Sequence, residues 1–132
     1  MTRYLTFQEI VALNRQVVLQ DGGFREGAGR LLNANSLWYT VDIVRAELNG
    51  KELYPALTDK AAKYALQIIT GHVFLDGNKR TGTACALWFL RLNGCELSLS
   101  ITTDEIVGLA MGIATGTLDI DNTSAWLSAR LV

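Results

Sequence analysis

Proline, cysteine and histidine are nearly absent from this chain, and each scarcity closes off an answer. One proline, Pro55, in 132 residues leaves long stretches free to be helical, because nothing else removes a backbone donor inside them. Two cysteines, Cys85 and Cys95, form neither a Cys-x-x-Cys motif nor a disulfide framework, and free thiols suit a reducing compartment. A single histidine excludes multi-histidine zinc sites and every scheme that needs two imidazoles. Acid–base chemistry through an imidazole therefore falls to His72. A charge excess is missing too. Twelve Lys and Arg against 13 Asp and Glu give a net charge of −1, so no basic field draws the chain to nucleic acid or an anionic membrane. The longest apolar run, Ala84–Leu90, stops at Arg91, far short of the ~20 residues that span a bilayer. The opening segment, MTRYLTFQE, turns polar too early for a secretory leader. These absences predict a soluble, cytoplasmic protein with no membrane or direct nucleic-acid partner.

What is present is helical periodicity over a length that supports one domain, residues 1–132. Thr6 and Glu9 form a capping-box pattern ahead of an apolar stripe of Phe7, Ile10, Val11, Val17 and Val18, which predicts a helix to about Leu19. The glycine-rich residues 21–30 (DGGFREGAGR) read as a mobile loop. A second helix is predicted from Ser36 to Leu48, closed by Asn49-Gly50, and a third is capped by Thr58, buries Ala61, Ala62, Ala65, Leu66 and Ile69, and ends at Gly71. A fourth runs from Lys79 to Asn93, with Ala84, Leu87, Trp88 and Leu90 on its buried face. Cys95–Ile101 alternates apolar and polar and suits one short extended segment. Thr102 with Glu105 caps a fifth helix, and Asp121 or Asn122 a sixth. The fold class is all-α, about six helices with a glycine-rich loop.

Chemistry concentrates in residues 70–82, Thr-Gly-His-Val-Phe-Leu-Asp-Gly-Asn-Lys-Arg-Thr-Gly, between two helical segments. Gly77–Arg80 falls at a helix start, where backbone N–H groups lack internal partners and meet the positive end of the dipole. Glycine there lets an anion approach the backbone closely. Lys79 and Arg80 add cations, although a basic residue at that end opposes the dipole by ~0.3–1 kcal/mol, a penalty a bound anion would remove. Asp76 supplies the single carboxylate through which Mg²⁺ commonly reaches a polyphosphate, and His72 is placed to take a proton from an attacking hydroxyl. Together these residues have the parts of a phosphoryl-transfer site. Each part also has a plain structural reading: a satisfied histidine, an aspartate in a turn, two solvated cations.

The pattern His72-x-Phe74-x-Asp76-Gly77-Asn78-x-Arg80 resembles the signature of the Fic/Doc family. Lys79, where Fic enzymes carry a second glycine, and Thr83, where they commonly carry a second arginine, make it more similar to the Doc (death-on-curing) branch. Gly23-Phe24-Arg25-Glu26 resembles that branch's flap, Glu52-Leu53-Tyr54-Pro55 with Lys60-Ala61-Ala62 its approach to the catalytic helix, and Phe89-Leu90-x-x-Asn93-Gly94 its exit. The resemblance implies the Fic fold, with His72 as general base, Asp76 as Mg²⁺ ligand, and Gly77 and Asn78 as an anion nest, the Asn78 side chain also touching phosphate. Lys79 and Arg80 would contact the phosphates of ATP, Arg80 neutralising charge as it develops, and Phe74 would anchor the loop in the core. The activity implied is that of a toxin kinase, moving the γ-phosphate of ATP to a hydroxyl of elongation factor Tu and arresting translation. Adenylylation of a protein hydroxyl and a non-catalytic helical binding module are the alternatives. Self-inhibited Fic proteins carry an (S/T)xxxE(G/N) helix; no Ser or Thr here has Glu four residues later. An antitoxin protein acting in trans is the implied inhibitor.

Overall fold

The computed structural model describes residues 1–132, in six helices: α1 (Phe7–Gln20), α2 (Ala34–Ile43), α3 (Leu57–Thr70), α4 (Asn78–Leu92), α5 (Thr103–Ala114) and α6 (Ile120–Ser128). The one regular sheet pairs β1 (Glu47–Leu48) with β2 (Lys51–Glu52). No helix is long and apolar enough to cross a membrane. The all-α class and the helix number match the sequence reading.

Helix α3 is the hub, packed against α2, α4, α5 and α6. Its residues Ala61, Ala62, Tyr64, Ala65 and Ile68 are fully buried, and the small side chains among them let neighbouring helices come close. Gly82 completes the approach of α4. A Cβ at that position would sit 2.6 Å from Ile69 Cγ1 and 3.1 Å from the Ala65 carbonyl oxygen. This close crossing fixes the end of α3 against the start of α4, and the loop between them carries the chemistry-bearing residues.

The capping signals held at α1 and α5. Thr6 Oγ1 accepts from Glu9 N at 3.1 Å while Glu9 accepts from Thr6 N at 2.9 Å, and Thr102 and Glu105 repeat the exchange. Glu9 also pairs with Arg3 at 2.5 Å. The Arg3 guanidinium holds its carboxyl down from 4.5 to about 2, with the Thr6 N–H adding to the effect. A carboxyl whose folded pKa is depressed stabilises the protein above its unfolded pKa and loses that contribution as it protonates. Stability is thus expected to fall as pH drops from about 4.5 to about 2, and Glu9→Gln to flatten that part of the curve in pH-dependent urea titrations.

Elsewhere the boundaries moved. Helix α2 starts two residues early, because the Asn33 side chain accepts from Ser36 N, and ends at Ile43, well before Leu48. Asn49-Gly50 is a hairpin turn between β1 and β2, not a helix stop: both residues have positive φ, 53° and 78°, as a type I′ turn requires. Thr58 is not a cap. It lies inside α3, which starts after Ala56, and its hydroxyl oxygen accepts from Ser124 Oγ on α6 at 2.9 Å. The cap of α6 is Asp119, whose carboxylate accepts from Asn122 N at 2.8 Å. On α4 the buried face is Thr81, Gly82, Cys85, Ala86, Phe89 and Leu90; Ala84, Leu87 and Trp88 are only half-buried. Trp38 is exposed and stacks on Phe7, ring centroids 4.2 Å apart. The extended segment near residue 97 is a single bridge to Leu131.

Candidate active site

The C-terminus of α3 delivers the histidine. Gly71 caps the helix at φ −86°, so space rather than backbone freedom demands glycine there: a Cβ would lie 2.4 Å from the Gln67 carbonyl oxygen and from Ser36 Oγ. The left-handed residue that commonly ends a helix is the next one, His72, at φ 48°. Glycine ordinarily fills this conformation, since a side chain there costs ~1–2 kcal/mol. A bulky residue held in that state, exposed on the wall of a cleft, is the kind of strain found at functional sites.

The next residues anchor the loop. Val73 and Phe74 are buried, and Phe74 is the core anchor the family resemblance implies. Residues 30–33 run alongside as a short extended partner: Leu32 N donates to Val73 O at 2.8 Å, and Leu75 N to Arg30 O at 3.0 Å. Asn78 Oδ1 accepts from Phe74 N and Asn78 Nδ2 donates to Phe74 O, both at 2.9 Å. The Asn78 side chain thus shapes the loop with its Oδ1 and one of its two Nδ2 hydrogens. Its backbone N–H has no backbone acceptor.

That backbone is open. Helix α4 begins at Gly77, φ 77°, with no side chain capping it. The N–H groups of Asn78, Lys79 and Arg80 find no backbone acceptor; the first bond of the helix start is Thr81 N to Gly77 O at 2.8 Å. Three such donors at the positive end of a 15-residue helix form a ready anion site.

Around this helix start lies a cleft of about 660 Å³ that brings His72, Asp76, Gly77, Asn78, Lys79 and Arg80 together, every site residue the sequence predicted. Lys79 and Arg80 are exposed. Arg80 is paired with Asp21, which the sequence places only at the start of the glycine-rich loop. A signal existed: an acidic residue at the C-terminus of α1 opposes that helix's dipole as Lys79 and Arg80 oppose theirs, and two such misfits of opposite sign suit each other. Beside the cleft, a groove of about 440 Å³ between α4 and α5 also reaches Lys79 and Arg80. Its other lining residues carry no titratable group, so acid–base chemistry belongs to the first cleft.

Asp76 is held at both carboxylate oxygens. Oδ1 accepts from Gly77 N at 2.8 Å and Oδ2 from Phe24 N at 2.9 Å. Phe24 belongs to the glycine-rich segment, in which Arg25–Gly27 form a 3₁₀ turn and Gly23 N donates to Val18 O. A Cβ at Gly23 would lie 2.9 Å from Asp76 Oδ2, so a side chain there would push the carboxylate aside. The donor set fits a metal that arrives with its substrate. No cluster of three or more His, Cys, Asp or Glu could cage an ion, whereas Mg²⁺ characteristically uses one or two carboxylates together with phosphate oxygens.

One cleft of a small helical domain thus collects an uncapped helix start, two cations, a carboxylate and a histidine in left-handed backbone. The chain belongs to the Fic/DOC family, whose model matches residues 4–90. Two curated proteins are similar along nearly their whole lengths. Toxin Doc of Mycolicibacterium smegmatis is 30% identical over 97% of this chain and 93% of its own. Protein kinase doc of Escherichia phage P1 is 27% identical over 92% and 90%.

Proposed function

We propose that this chain is a Doc-type protein phosphotransferase, moving the γ-phosphate of ATP to a hydroxyl of a target protein. The observation that carries the reading is the open start of α4, three unpaired N–H groups flanked by Lys79 and Arg80 and sharing a cleft with His72 and Asp76. The similarity to a protein named as a kinase supports it. In this reading the N–H groups of Asn78, Lys79 and Arg80 bind phosphate oxygens. His72 takes the proton of the incoming hydroxyl as its oxygen bonds the γ-phosphorus, while the bond to the β-phosphate oxygen breaks and ADP departs. Arg80 has five donors, enough to meet the charge that develops on the phosphoryl group. Asp76 would hold Mg²⁺, which would supply neutralisation of the polyphosphate charge.

Transfer of phosphate rather than of nucleotide is favoured by Lys79 and Thr83. Lys79 puts a long cation where a second glycine would leave room. The Thr83 hydroxyl is buried and bonded to the Lys79 and Arg80 carbonyls, at 3.2 and 3.1 Å, so it supplies no second clamp. The target proposed through the family resemblance is elongation factor Tu, with arrest of translation as the result. Restraint by an antitoxin protein in trans belongs to the same proposal, supported by the name Toxin Doc on a relative.

The test is incubation of a cell extract with the protein, Mg²⁺ and ATP labelled at the γ or α position. Label from the γ position only, with a gain of about 80 Da on one protein, is expected. Label from the α position with a gain of about 329 Da would assign adenylylation. Absence of both, with no rise in Tm on adding Mg²⁺ and ATP, would assign a binding module.

A further inference from the structure

Helix α1 turns an apolar face to the molecule, formed by Ile10, Val17 and Val18, and one polar residue interrupts it. Asn14 is fully buried. A buried amide on an apolar face is costly unless its hydrogen-bonding groups are met, and those of Asn14 are met by three separate segments. Its Oδ1 accepts from Gly29 N at 2.9 Å. Its Nδ2 donates to the Asp76 carbonyl at 2.8 Å and to Thr81 Oγ1 at 3.0 Å. The orientation of the amide is fixed by its partners, since Gly29 N requires an acceptor and the Asp76 carbonyl a donor.

We propose that Asn14 is a positioning residue for the site, acting through Asp76; the inference rests on the reading of Asp76 as the metal-binding carboxylate. The peptide unit joining Asp76 to Gly77 is gripped on both sides. Its carbonyl faces Asn14, and its N–H meets Asp76 Oδ1 at 2.8 Å. The other carboxylate oxygen takes the Phe24 N–H. Phe24 and Gly29 lie on one loop, so the bonds close a ring: Asn14 to Asp76, Asp76 to Phe24, along the loop to Gly29, and back to Asn14. Through this ring Asn14 sets the plane of the Asp76–Gly77 peptide, the orientation of the carboxylate, and the left-handed turn at Gly77 that opens α4. Space around it is tight: a Cβ at Gly77 would come within 3.3 Å of Asn14 Nδ2 and 2.8 Å of Val18 Cγ2. Partners of a metal-binding carboxylate typically change metal affinity 10–100-fold when lost.

The test compares Asn14→Leu, which loses all three bonds, Asn14→Asp, which keeps an acceptor for Gly29 but loses both donors, and Thr81→Val, which loses only the third bond. Two measurements are made: amide hydrogen exchange of Phe24 and Gly77 in nucleotide-free protein, and the Mg²⁺ dependence of phosphate transfer. In both Asn14 variants the two amides are expected to exchange at least about tenfold faster relative to those of α5 and α6, and the half-saturating Mg²⁺ to rise about tenfold or more, with the pH profile at saturating Mg²⁺ unchanged. Thr81→Val is expected to move neither. Unchanged amide exchange, or loss of rate with no change in Mg²⁺ dependence, would overturn the proposal. If Asn14→Leu does not fold, Asn14→Asp against Thr81→Val decides. Should the wild type transfer nothing, the phosphotransferase reading fails, while the exchange measurement still shows whether Asn14 holds Asp76.

Discussion

His72→Ala is expected to lower phosphate transfer by about 10²–10⁴-fold, the usual contribution of a positioned general base. No second imidazole exists to take over. The left-handed backbone at φ 48° gives this prediction a second, independent arm. Alanine keeps a Cβ and therefore the strain; glycine removes it. His72→Gly is expected to lose as much activity as His72→Ala while being about 1 kcal/mol more stable, the lower end of what a side chain costs in that conformation. Initial rates with γ-labelled ATP and urea midpoints measure the two arms. A His72→Ala protein that keeps more than a tenth of the wild-type rate would place the base elsewhere. Equal midpoints for the two variants would mean that the surrounding loop relaxes when the imidazole leaves.

Arg80→Ala is expected to cost about 10³-fold in rate, the scale on which an arginine stabilises a transferring phosphoryl group. Arg80→Lys should recover little of this, because an ammonium cannot replace the two-pronged grip of a guanidinium. Stability should barely change in either variant. The Arg80–Asp21 pair is half exposed on its arginine side, and such pairs contribute below about 1 kcal/mol. Asp21→Asn separates the two roles of Arg80: it breaks the ion pair but leaves the guanidinium in the cleft, and transfer should persist. Loss of transfer in Asp21→Asn as deep as in Arg80→Ala would show that the pairing, not contact with phosphate, is what Arg80 provides.

The legible parts of the molecule were those written in neighbouring residues. Thr6 with Glu9 and Thr102 with Glu105 cap their helices as read, since a capping box closes within four residues. The stretch from His72 to Arg80 announced itself for the same reason: cations at a helix start after glycine are a local misfit, and an anion removes it. Ambiguity entered where one short signal serves two structures. Asn49-Gly50 ends helices and also makes hairpin turns, and only the pairing of Glu47 with Glu52 selects the turn. The buried face of α4 was misread because the helix is covered by α1, α3 and α5 together, so its apolar residues do not sort onto one stripe.

The sequence by itself determined the all-helical class, the candidate site residues that share the cleft and the position of the helix start among them, because periodicity, capping and dipole effects act over a few residues. Only the tertiary structure decided how those residues are held. The bonds from Phe24 N to Asp76 and from Asn14 to Asp76 and Thr81 join positions 52, 62 and 67 residues apart, and Arg80 meets Asp21 across the cleft. No local preference encodes such contacts. They exist because the close crossing at Gly82 and the buried face of α1 bring the start of α4 against the end of α1, where an amide, a carboxylate and a guanidinium find one another.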